Sequence, residues 1–304
     1  MQLLNDLLVD SHSGNYNQIV SIITKYLKDL NCKVILQKTG PNKTNIIAIF
    51  GSPKLLINCH MDTVPPCGKW KTDPLKLNKI NNQLYGLGTA DTKGNIYAVL
   101  KAVKQAKPKN LMLLFSTDEE SGTAESGVTH FLKSNYSKYI KKAIVCEPTS
   151  LNFVNKHKGY FSYILKYTNK PMHSSQKSEN AIVKAAKSIL EYSKQGYNIA
   201  KIDGGLQGNI TPGYCNLKIS KRSYTMPMKN PYFKGIPFNN KKPFIKCNKK
   251  VGFWTEAALF QEAGINTVVF GAGSIKQAHS PDEYVKINEL KKAQEIIKDA
   301  ISNI

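Results

Sequence analysis

The sequence predicts an α/β protein: a mostly parallel sheet with helices on both faces, interrupted by a small inserted α+β unit. Three observations predict it. Between residues 17 and 146, short apolar runs of strand length alternate with stretches whose apolar residues recur at helical spacing. At about residue 157 the pattern changes to longer strands that alternate residue by residue. From Val251 the first pattern returns. At ~150 residues per domain, 304 residues suit two domains. The expected division is 1–156 with 251–304 as the larger domain, and 157–250 as the insert.

Taken in order, residues 17–30 (NQIVSIITKYLKDL) read as an amphipathic helix. Residues 32–36, 45–50 and 55–59 read as short apolar strands, and 95–106, after Gly94, as a helix. Two more buried strands follow at 111–116 and 143–146. Residues 160–167 (YFSYILKY) form a longer alternating strand. Residues 179–192 read as a helix with Ala181, Ala185, Ile189 and Tyr192 on one face. Strands are expected at 206–210 and 214–220, around the Thr211-Pro212-Gly213 turn. Residues 223–250 are rich in Pro, Lys, Asn and Phe without periodicity, and read as loop. A helix around 256–264, a strand at 267–270 and a last helix at 289–301 complete the chain.

Composition narrows the function. No apolar run approaches the ~18 residues that cross a bilayer. The first ten residues reach Asp6 and Asp10 without a basic start. The expectation is therefore a soluble, cytoplasmic protein without a secretory signal and without membrane contact. Lys and Arg number 43 against 21 Asp and Glu, a net charge of +22. That invites a polyanion-binding reading. The sole arginine is Arg222, however, and lysines are spread from Lys25 to Lys298. Base readers and phosphate clamps favour the planar guanidinium fork. The charge reads as a solvated surface, with steering of anionic substrates or incidental polyanion binding as the alternative and no specific nucleic acid expected. None of the six cysteines forms a C-x-x-C pair, so a cysteine zinc site is not signalled and buried free thiols are expected.

Five segments carry acids and imidazoles at expected strand ends or loops. They are His60-Met61-Asp62, Asp91 within GTADTKG, Asp118-Glu119-Glu120, Glu147-Pro148-Thr149, and His279. Two histidines with several carboxylates suit a hydrolytic zinc or cobalt site with open positions. A lone His beside a strand is more often structural, and an adjacent acid pair is more often a solvated turn. Their joint occurrence at strand ends, where ligands converge, changes that balance.

These segments resemble the M20 family of co-catalytic metallohydrolases, marked by H-x-D, D-x-K-G, an acid pair and a late H-x-x-x-E. LYGLGTADTKG, CEPTSL followed by HKG, FWTEA and GAGSIKQAHSPDEYV resemble most closely its acetylornithine deacetylase and succinyl-diaminopimelate desuccinylase group. The similarity spans about residues 4–290. It implies a di-metal hydrolase domain and an inserted, ferredoxin-like lid that also dimerises. It implies two divalent ions, Zn2+ or Co2+, sharing Asp91, with His60 and Glu147 on one and Glu120 and His279 on the other. Asp62 would hydrogen-bond His60 and fix its tautomer. Glu119 would be the general base, its side chain opposite Glu120's in an extended segment. His173 would stabilise the oxyanion, from the partner subunit of a homodimer. Arg222 would hold the substrate carboxylate, with a structural ion pair as the alternative. Asn209 and Asn180 are weaker candidates, with turn and capping roles as alternatives.

The implied reaction is hydrolysis of an N-α-acetyl amino acid, N-acetylornithine first. N-acetylcitrulline, N-acetyl-lysine and succinyl-diaminopimelate are the alternative substrates. The sequence departs from the family after Arg222, where the second helix of the lid is missing, and Thr92 stands where methionine is commoner.

Overall fold

The structure is a computed structural model, which describes residues 1–12, 14–121 and 125–303. The chain divides into two compact units. One comprises Met1–His157, Phe238–Val251 and Thr255–Ile304. The other comprises Lys158–Pro237 and Gly252–Trp254.

The larger unit is built on a nine-stranded sheet among the described residues. Its middle is parallel: Asn110–Ser116, Leu55–His60, Lys142–Cys146 and Asn266–Phe270 lie side by side in one direction. Lys33–Gly40 and Lys43–Gly51 extend it antiparallel at one side. These runs form strands because their β-branched and leucine residues bury on both faces, as parallel sheets require. All six residues of Leu55–His60 are buried. One face carries Ile46, Ala48, Ile57, Leu113, Phe115 and Ile144, packed against the helices Asn17–Lys28, Lys93–Ala106 and Ile287–Ser302. Each of these helices turns one apolar stripe inward: Ile19, Ile23 and Leu27 on the first, Leu290, Ala293, Ile297 and Ile301 on the last. Residues of opposite parity meet the short helices Gly127–Leu132 and Ala257–Glu262, whose Phe131 and Phe260 rings lie 6.4 Å apart.

The smaller unit is a four-stranded antiparallel sheet in the order Asn198–Gly204, Tyr214–Ser223, Gly159–Thr168, Phe233–Gly235. The helix Ala181–Lys194 covers one face, over a core of Phe161, Tyr163, Tyr197, Leu217 and Ile219. Asn180 caps that helix: its Oδ1 accepts from the amides of Ile182 at 2.9 Å and Val183 at 3.2 Å. The capping alternative for Asn180 is thus the observed one.

Two stretches differ from the sequence reading. Residues 206–210 do not form a strand of this sheet. The strand is Asn198–Gly204, an exposed edge whose alternation is broken by a bulge between Ile199 and Lys201, so no apolar run announces it. Only Ile210–Thr211 pairs, and it does so with Met172–His173. Nor is 223–250 all loop. Phe233–Gly235 completes the small sheet, while Phe238–Asn239 and Lys249–Val251 both pair with Val154–His157 in the larger unit. The chain therefore returns to the larger unit at Phe238, ahead of Val251. His157 and Phe238 are paired residues and their rings lie 5.1 Å apart. Strands of two or three residues are too short to show a period.

Candidate metal centre

The parallel strands deliver the acids and imidazoles to one place. His60 ends Leu55–His60, Glu147 directly follows Lys142–Cys146, and Glu119 and Glu120 lie just past Asn110–Ser116. These three strands are neighbours, so their carboxyl ends open on one edge of the sheet. Asp91 precedes the first residue of Lys93–Ala106 by two positions, and His279 comes from the loop after Asn266–Phe270. Ligand-type atoms of His60, Asp91 and Glu147 all lie within 4.8 Å of one another, as do those of Asp91, Glu120 and His279. Asp91 belongs to both groups. A third group joins His60, Glu119 and Glu120.

The donor atoms fit cations. His60 Nδ1 lies 3.0 Å from the backbone oxygen of Asp62, so Nδ1–H donates there and a neutral ring turns the Nε2 lone pair outward. Nε2 faces Asp91 Oδ1 at 3.0 Å. Two acceptors at that distance need a proton or a metal ion between them. Glu147 Oε1 is buried and has no hydrogen-bond partner among the described residues. A buried polar atom left so is costly unless a ligand takes it. His279 Nε2 lies 2.8 Å from Glu120 Oε1 and 3.8 Å from Asp91 Oδ2.

The charges tell the same story. Burial, then the charge of Asp91, pushes the Glu147 carboxyl well above the ordinary range, and burial and Glu120 do the same to Glu119. Glu120 is raised by burial too, against the pull of His279. Burial also works against the charge on His60, but contacts with Asp62 and Asp91 hold its imidazole well above the usual value. The bond to Glu120 lifts His279 to about 8. Carboxylates packed this closely resist being ionised together unless positive charge is placed among them.

The acid pair is held differently from the sequence expectation. Glu119 and Glu120 lie in a turn rather than an extended segment, and the residue before them, Asp118, has φ +63°. Asp62 is part of the reason. Its carboxylate sits 3.7 Å from His60 Nδ1, too far to hydrogen-bond, so the backbone carbonyl orients the imidazole instead. The carboxylate accepts from the amides of Glu120 at 2.9 Å and Glu119 at 3.4 Å.

Pattern reading assigns no role to two further acids. Glu283 is buried, and its carboxylate accepts from the amides of Gly88 at 2.9 Å, Ala90 at 2.8 Å and Asp91 at 3.0 Å. It fixes the loop that presents Asp91, and its signal was the spacing from His279. Glu256 is buried on the sheet, where Oε2 accepts from Asn58 Nδ2 at 2.9 Å and Ser116 Oγ at 2.8 Å. It joins the ends of the strands that carry His60 and the acid pair. Burial pushes its carboxyl up to about 7.

The remaining expected residues belong to the smaller unit. His173 is exposed on the Met172–His173 strand, its Nδ1 2.8 Å from Ser175 Oγ. Asn209 is exposed, and its backbone oxygen accepts from the amide of Ser174. Arg222 stands on Tyr214–Ser223 with its guanidinium carbon 5.0 Å from the centre of the Tyr160 ring.

Fold and sequence kinship together define the class, an amide-bond hydrolase. The sequence profile of Peptidase family M20/M25/M40 matches residues 56–303, and the chain belongs to that family. It is 32% identical over 335 residues to the acetylornithine deacetylase of Vibrio cholerae, covering 90% of this chain and 87% of that one. Among solved structures, a tripeptidase from Staphylococcus aureus superposes with a TM-score of 0.77 at 20% identity, over 99% of this chain and 98% of that one. The YXEP protein of Bacillus subtilis, described as a dinuclear metal binding peptidase, gives 0.70 at 13% identity, over 99% and 97%. No helix among the described residues is long and apolar enough to cross a membrane.

Proposed function

We infer that this chain is a two-metal deacetylase of N-α-acetyl amino acids, with N-acetylornithine as its substrate and ornithine and acetate as products. The observation that supports it most is the pair of ligand groups sharing Asp91, with Glu119 alongside. His60, Asp91 and Glu147 would hold one ion, and Asp91, Glu120 and His279 the other. The donors are nitrogen and oxygen without sulfur, which suits Zn2+ or Co2+ in open catalytic sites. Bound there, the two ions would polarise the amide carbonyl and acidify the attacking water.

This chain's own groups do the rest. Glu119 takes the proton of the attacking water, then delivers it to the departing α-amine. Asp62 and Glu283 keep Glu119, Glu120 and Asp91 in place through backbone amides. In this reading the smaller unit is the lid and dimerisation domain of a homodimer. Its His173 steadies the developing oxyanion and Arg222 takes the substrate carboxylate, with Asn209 on the same surface. Kinship to acetylornithine deacetylases over most of both chains supports the choice of acyl group.

The test is chelation followed by re-addition of Zn2+ or Co2+, assayed on N-acetylornithine, N-acetylcitrulline, N-acetyl-lysine and succinyl-diaminopimelate. Activity should vanish, return with metal, and be highest on N-acetylornithine. A preference for the succinyl substrate would overturn the substrate, and activity indifferent to chelation would overturn the mechanism.

A further inference from the structure

The turn that carries the acid pair has no strand ladder to hold it, yet each of its four amides is taken. Thr117 N–H donates to Asn45 Oδ1 at 3.1 Å, and Asp118 N–H to the Tyr16 hydroxyl at 2.9 Å. Glu119 and Glu120 N–H donate to Asp62. Side chains from three distant stretches thus replace backbone partners.

Tyr16 holds the residue with the left-handed backbone. Its hydroxyl accepts from the amide of Asp118 and donates to Asp118 Oδ1 at 3.0 Å, gripping one residue twice across a sequence separation of 102. The ring is wholly buried at the start of Asn17–Lys28. Burial also holds the phenol far above its ordinary value, so the hydroxyl keeps its proton and remains a donor. The other carboxylate oxygen of Asp118 meets Lys43 Nζ at 2.9 Å. Asp118 sits at φ +63°, a left-handed conformation that side chains rarely adopt and that persists only where the surroundings impose it. Left to itself this residue relaxes towards negative φ, which rotates the peptides of Glu119 and Glu120.

We propose that Tyr16 is a positioning residue of the reaction: by its two bonds to Asp118, with Lys43 as a second clamp, it holds the left-handed turn that aims Glu119 and Glu120. This rests on the roles given above to those two glutamates. It gives the N-terminal segment, which supplies no metal ligand in that reading, a part in the chemistry.

The test compares Tyr16→Phe with wild type and with Glu119→Gln, all loaded with Zn2+ and assayed on N-acetylornithine. Tyr16→Phe removes one oxygen and keeps the packed ring. Its kcat should fall at least tenfold while KM stays within twofold. One of its two metal equivalents should pass to a chelator at least tenfold faster, because Glu120 moves with the turn. Far-ultraviolet circular dichroism should be unchanged. A wild-type kcat and wild-type metal release in folded Tyr16→Phe would overturn the proposal. Should that variant fail to fold, Lys43→Gln carries the same test from the half-exposed side of Asp118, and there too an unchanged kcat and metal release overturn it. Glu119→Gln separates the two levels. If it is inactive with both metals retained while Tyr16→Phe behaves as wild type, only the positioning role fails. If Glu119→Gln is fully active, the assignment of the base fails.

Discussion

Glu256 is a carboxylic acid held inside the sheet by two neutral donors, Asn58 and Ser116, at 1% exposure. Its carboxyl is raised from 4.5 to about 7, chiefly by burial. An acid whose folded value lies above its unfolded one binds more protons when folded, so its effect on stability changes between pH 4.5 and 7. Below that window the group costs nothing. Above it, keeping the group ionised costs on the order of 3 kcal/mol, taking 1.36 kcal/mol per unit. Stability of the metal-free protein should therefore decline as pH rises from 5 to 8. Glu256→Gln, which keeps an oxygen acceptor, should flatten that decline and be the more stable at pH 8. Urea denaturation at several pH values checks it, and parallel curves for the two proteins would contradict it.

At this scale the sequence was informative about donors and silent about what holds them. The segments around His60, Asp91, Glu119-Glu120, Glu147 and His279 stand out because imidazoles and acids recur at expected strand ends, while the choice of ligands among them rests on the family resemblance. Tyr16 and Glu256 do not. Their partners lie 102 residues away in one case and 140 and 198 in the other, and no local spacing encodes such contacts. Asp62 was legible as a residue, but its hold on the amides of Glu119 and Glu120 was not.

Among the elements, the helix Ala181–Lys194 gives the simplest prediction. Of its first free amides, that of Ala181 donates to the backbone oxygen of Pro212, and those of Ile182 and Val183 to the Asn180 side chain. Asn180→Ala should cost about 1 kcal/mol of the stability of the smaller unit, as loss of an N-cap does elsewhere. Thermal or urea unfolding followed by a probe in that unit would show it, and an unchanged midpoint would mean that tertiary packing fixes the helix end. Long elements with strong periods were legible: the helix Asn17–Lys28, the parallel strands, the final helix Ile287–Ser302. The edge strand Asn198–Gly204 was missed because five of its seven residues are exposed and a bulge breaks its alternation. The strands within 223–250 were missed because two or three residues carry no period.

For the whole molecule, the acids gathered at one sheet edge resist one another when the chain folds, and cations that neutralise them stabilise the folded form alone. A ligand present at a hundred times its Kd contributes about 2.7 kcal/mol. Removing bound metal with a chelator should lower the melting temperature of the larger unit by several degrees, and re-addition should restore it. Calorimetric traces that superpose with and without chelator would mean that these groups hold no cation.

The pairing of His157 with Phe238 has a consequence of its own. Paired residues on antiparallel strands lie roughly 4.5–5.5 Å apart, so everything between them leaves and rejoins the sheet through one narrow doorway. Within residues 158–237 the chain can lengthen or shorten between these two anchor points without shifting the strands that carry His60 and the acid pair. Changes in the length or shape of residues 158–237 are thereby separated from the strand ends that carry His60, the acid pair and Glu147.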